Sequence, residues 1–116
     1  VGVTTARDNL AYHLMPAPDW DTAPADAPLR RPSLDHEGFI HLTHAIDQLI
    51  LIADQFYRDE PGRHVLLTVD LDRLAVPWRY DGDDRFPHVY GALDRTAIVA
   101  VRAIDRNDDG TYRPPA

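Results

Sequence analysis

The sequence predicts an α+β domain built as a compact mixed β-sheet with one main helix. Three observations carry that prediction. At 116 residues the chain has material for one hydrophobic core and too little for two comfortable domains. Short apolar runs at residues 39–43, 65–69 and 97–104 have strand length and are separated by turn residues. A single longer run, residues 44–58, repeats Ala45, Leu49, Ile52 and Phe56 at helical spacing, with Ile46, Ile50 and Ala53 widening the stripe.

Residues 10–14 form the first strand candidate, with Tyr12 and His13 inside it. Prolines 16, 18, 24, 28 and 32 then interrupt regular structure, leaving a short helical turn at residues 19–23 with Trp20 packed inward. The rest of residues 24–38 reads as a surface connection that brings Arg30, Arg31 and Ser33 toward the next strand. In residues 39–43, Ile40 and Leu42 share one face and His41 and Thr43 the other. Thr43 is the expected N-cap of the main helix, and Asp47 suits its positive end.

The Glu60-Pro61-Gly62-Arg63 segment stops that helix. Residues 65–69 make a strand and residues 70–74 a turn or short 3₁₀ segment. Pro77 assigns residues 76–80 to a sheet edge, and residues 81–85 form a turn rich in aspartate. A second polar phrase at residues 86–90 and a final strand at 97–104 follow. The domain is expected to span residues 1–116, with 105–116 a partly irregular tail that pairs briefly through Tyr112.

Composition removes several functions. Without cysteine there is no disulfide, thiolate nucleophile or cysteine metal site. Twelve basic against nineteen acidic residues, net −7, argue against extended nucleic-acid binding. No apolar stretch is long enough to cross a bilayer, and the first residues do not resemble a signal peptide, so a cytoplasmic, non-membrane protein is expected. Glycine-rich phosphate loops, a nucleophile elbow around Ser33 and an H-E-x-x-H pair are all missing, so no metal site is assigned.

What remains is a pair of histidine phrases, Gly38-Phe39-Ile40-His41-Leu42-Thr43 and Phe86-Pro87-His88-Val89-Tyr90-Gly91. Imidazole can serve as donor, acceptor or proton carrier near neutrality, which makes His41 and His88 the candidate catalytic residues. Tyr90 can pack on a flat ligand and Arg31 can hold an anion, with Arg30 and Arg85 weaker choices. Trp20, Trp78 and Phe56 are assigned to packing and Tyr57 to solvent.

The ordered set Tyr12-His13, Arg31-Pro32-Ser33-Leu34 and the two histidine phrases, with the strand Leu66-Leu67-Thr68-Val69-Asp70 between them, resembles the small bacterial DUF952 family. That resemblance implies a relative of the ADP-ribosyltransferase fold, with NAD as the candidate cofactor. By the same resemblance His41 and Thr43 would contact the ribose, Arg31 an anionic group and Tyr90 the base. No glutamate near the second phrase matches that fold's usual catalytic carboxylate. The expectation is therefore an NAD- or nucleotide-related small-ligand cleft, either an atypical ADP-ribosyl or phosphoryl transferase or a noncatalytic module that binds a metabolite or peptide. Metal-assisted hydrolysis is a third option.

Overall fold

A computed structural model describes residues 9–115. Its strands form two separate three-stranded sheets rather than one mixed sheet. β1 (Leu10–Pro16), β3 (His64–Asp70) and β6 (Ile98–Ile104) make the larger in the order β1-β3-β6. β2 (Ile40–His41), β5 (Pro87–Val89) and β4 (Trp78–Tyr80) make the smaller in the order β2-β5-β4. Every pairing is antiparallel, and only β4 and β5 are both neighbours in the chain and partners in a sheet.

β3 is the keel of the larger sheet. Residues 64–69 are all buried, as a nearly continuous apolar run between two neighbouring strands should be. Leu67 and Val69 join Ala11, Met15, Ile40 and Val89 in the main core, between the two sheets. On the other side of the larger sheet, Ile104 meets Ile50 and Ala53 of the main helix, and Tyr112 enters the same cluster with Leu14 and Ile46 beside it. The C-terminal segment thus contributes a core side chain, and its brief pairing is an Arg106–Tyr112 bridge.

The main helix, α3, spans Ile46–Phe56, shorter at both ends than its apolar spacing predicts. Thr43 does not cap it. Ala45 occupies the N-cap without a side-chain bond, and Asp47 lies in the first turn. Thr43 is instead committed through its backbone: Tyr12 N–H donates to its carbonyl at 2.7 Å and its own N–H returns to Tyr12 at 2.9 Å. That exchange is the seam where the two sheets meet. At the far end of α3, Arg106 donates to the carbonyls of Arg58 (2.6 Å), Gly62 and Gly110 (3.1 Å each) and Glu60. The guanidinium thereby pins the loop that follows the helix to the C-terminal segment.

Two short helices flank the connection between β1 and β2. α1 spans Ala17–Thr22, and its Trp20 packs against the main core as expected. α2 spans Pro32–Glu37, inside the stretch expected to be irregular. Pro32 starts it with a preset φ, and Gly38 ends it at φ 90°, a left-handed conformation that glycine adopts without a Cβ penalty. This turn places Glu37 in front of β2.

Candidate functional site

The smaller sheet has two unlike faces because its strands alternate. Ile40, Val89 and Trp78 occupy paired positions on one face, with Ile40 and Val89 fully buried in the main core. The next row, His41, His88 and Arg79, must point the opposite way. Leu42 N–H donates to Pro87 carbonyl at 3.0 Å, so His41 and His88 form the neighbouring non-hydrogen-bonded pair, where side chains lie closest. Their ring centroids are 5.3 Å apart with planes at 75°. Phe39 stacks on His88 at 4.0 Å and 16°, fixing that ring's plane.

Each histidine is held by a carboxylate. Glu37 Oε2 lies 3.0 Å from His41 Nε2, and Asp81 Oδ2 lies 2.8 Å from His88 Nδ1. Asp81 also accepts the Tyr90 hydroxyl and, on its other oxygen, Arg79 Nε–H at 2.8 Å. The Tyr90 and His88 bonds hold the Asp81 carboxyl down to about 2, so it is a firm anion at neutral pH. The His41 contact likewise lowers Glu37, and the bond to Asp81 raises the Tyr90 phenol.

Beyond the seam, His13 bridges β1 to β2. Its Nδ1–H donates to His41 carbonyl at 2.9 Å, while its Nε2 accepts Arg31 Nε–H at 3.2 Å. That pattern requires a neutral imidazole. Burial, the largest influence, lowers His13 to about 4, and the nearby Arg31 charge acts in the same direction. Arg31 also reaches Asp19 at 3.4 Å, and its side chain is only 15% exposed. The guanidinium is therefore oriented by two partners while retaining donors for a ligand.

These groups share a cleft of about 770 Å³. His13, Arg31, Glu37, His41 and His88 supply its polar side, and Thr43 and Ser33 also line it. Leu49, Ile52 and Phe56 of α3 form an apolar side. The helical stripe expected to be core is thus divided: Ile50 and Ala53 pack inward, whereas Phe56 is 67% exposed and lines the cleft.

Other candidates fall elsewhere. Tyr90 does not line the cleft; its ring lies under Arg79, 4.4 Å from the guanidinium carbon, and its hydroxyl braces Asp81. Arg30 pairs with Asp35 at 2.6 Å. Arg85 is held by Asp83 at 2.7 Å over the Phe86 ring. His44 contacts Leu10 carbonyl at 2.9 Å and the Tyr80 hydroxyl at 2.6 Å, and no metal-holding cluster of three His or acidic residues occurs among the described residues. Sequence reasoning gave no role to His13, Glu37 or Asp81. His13 carried a signal: alternation along β1 places it between Ala11 and Met15, which point into the core.

The chain belongs to the DUF952 family of proteins of unknown function, whose match covers residues 14–101. It is similar to protein CC0527 from Caulobacter crescentus. The crystal structure of that protein is 27% identical, covers 90% of this chain and 93% of its own, and superposes with a TM-score of 0.75. Its solution NMR structure is 29% identical over 88% of this chain and 90% of its own, with a TM-score of 0.68. No curated protein matches the chain.

Proposed function

We propose that the cleft binds a small nucleotide-class ligand and that the histidine side of the cleft acts on it. The observation that carries this reading is that one cleft is lined both by a guanidinium fixed by His13 and Asp19 and by the apolar Leu49, Ile52 and Phe56. A nucleotide needs both, an anion receptor at one end and apolar surface for its base at the other. The volume suits one such molecule.

NAD is the first ligand to test, because the family resemblance suggests an ADP-ribosyltransferase-like fold. Supporting that branch, Thr43 and His41 both line the cleft. Equilibrium dialysis with NAD, ADP-ribose and AMP tests the reading. At least one should bind saturably, and Arg31→Ala should weaken it about tenfold or more, the loss expected of a charged hydrogen bond. Binding unaffected by Arg31→Ala, or none by any of the three, overturns it. NAD consumption followed by proton NMR separates a transferase from a binding module.

A further inference from the structure

We propose that His41 and His88 are a general acid–base pair for opening nucleoside 2′,3′-cyclic phosphates by water. The proposal rests on the reading of the cleft as a nucleotide site and adds the reaction and substrate class. Its basis is the division of labour within each ring. Glu37 engages His41 through Nε2 and Asp81 engages His88 through Nδ1, which leaves His41 Nδ1 and His88 Nε2 for a ligand. Two imidazoles at directly opposed strand positions, with ring centroids 5.3 Å apart, can serve one reaction centre from two sides.

The chemistry follows from what these groups can supply. One neutral and one protonated imidazole suit a reaction that removes a proton from the nucleophile and delivers one to the leaving oxygen. A sugar cation would call for a carboxylate turned toward the sugar, yet Glu37 and Asp81 are both engaged with the histidines. An anionic phosphorus centre instead suits the Arg31 fork. A polymer is disfavoured by the net charge of −7, whereas one cyclic nucleotide matches the cleft.

His41, the ring more open to water at 50% exposure, takes the base role, and His88, bonded to the Asp81 anion, the acid role. Neutral His41 removes a proton from water as the water oxygen bonds to phosphorus. The bond from phosphorus to one ribose oxygen breaks, and that oxygen takes its proton from protonated His88. The product is the nucleoside monophosphate, and solvent exchange returns both histidines to their starting states. Asp81, which receives His88, Tyr90 and Arg79, is a positioning residue.

Adenosine 2′,3′-cyclic phosphate followed by phosphorus NMR, with binding measured in parallel by dialysis, tests the proposal. Wild type should form adenosine monophosphate, with the bell-shaped dependence of rate on pH that an acid–base pair gives. His41→Ala and His88→Ala should each lose at least about 100-fold in rate. If His88→Ala fails to show the wild-type circular dichroism, His88→Gln takes its place. Asp81→Asn should alter the pH profile and leave binding intact. Binding without turnover overturns the acid–base proposal while sparing the nucleotide cleft, and no binding of any nucleotide overturns both. Turnover retained in both histidine variants also overturns it.

Discussion

The two sheets have equal numbers of strands and opposite investments. In the larger, the central strand β3 is buried along residues 64–69 and covered on both faces, by the main core and by the α3 cluster, while the edge strand β6 is exposed along residues 99–103. In the smaller, β2 has two residues and β4 and β5 three each, and its inward face carries Ile40, Val89, Trp78 and the buried Pro87. The opposite row holds His41, His88 and Arg79, which gain their order from carboxylates and aromatic stacking. Stability therefore resides chiefly in the larger sheet, and chemistry is displayed on the smaller one. The seam at Tyr12 and Thr43 joins them, with His13 just beyond it.

The sharpest way to break this contrast is to cut into the keel. Leu67 is fully buried, so Leu67→Ala removes well-packed methyl groups and leaves a cavity. Urea unfolding should show a loss of about 2–5 kcal/mol. A loss below about 1 kcal/mol would mean that the larger sheet does not carry the stability assigned to it.

The seam makes a prediction about pH. His13 falls from its ordinary 6.5 to about 4 because the folded protein shields the ring from water. Its folded pKa is depressed, so between pH 6.5 and about 4 the unfolded chain takes up a proton that the folded chain refuses. Stability therefore falls as pH drops through that window, by at most about 3 kcal/mol from this residue, and flattens below it. His13→Gln preserves one donor and one acceptor without a titrating ring. Its stability should decline less than that of wild type between pH 7 and pH 4, and parallel declines would remove His13 from the seam's energetics.

Legibility followed the same division between the sheets. The continuous run in β3 and the apolar spacing of α3 are local signals, so both elements were readable within a residue or two at most of their ends. The number of sheets was not readable, because it depends on long-range pairings such as Tyr12 with Thr43. Thr43 had the right chemistry for an N-cap, but its backbone was claimed by β1, and α3 starts only at Ile46. Alternation puts His88 and Tyr90 on one side, where both reach Asp81. Asp81 itself was hidden among the aspartates of a turn, since nothing local distinguishes a carboxylate that folds back onto a strand. Phe56 shows the limit of periodicity: spacing identifies a stripe without saying whether protein or ligand covers it.

The smallest expected effect sharpens the comparison most. His41 is half-exposed, and its pairing with Glu37 is open to solvent on both sides. Such pairs contribute little to folding because water screens them and long side chains lose freedom in making them. His41→Ala should therefore change stability by no more than about 0.5 kcal/mol in urea unfolding, while the Ile40–Val89 pairing behind it stays intact. If nucleotide handling is lost under the same conditions, the outward row is functional in origin, because folding alone gives no reason to place an imidazole there. A destabilisation comparable to that of Leu67→Ala would mean that the histidine row is part of the scaffold, and the division between the two sheets would fall with it.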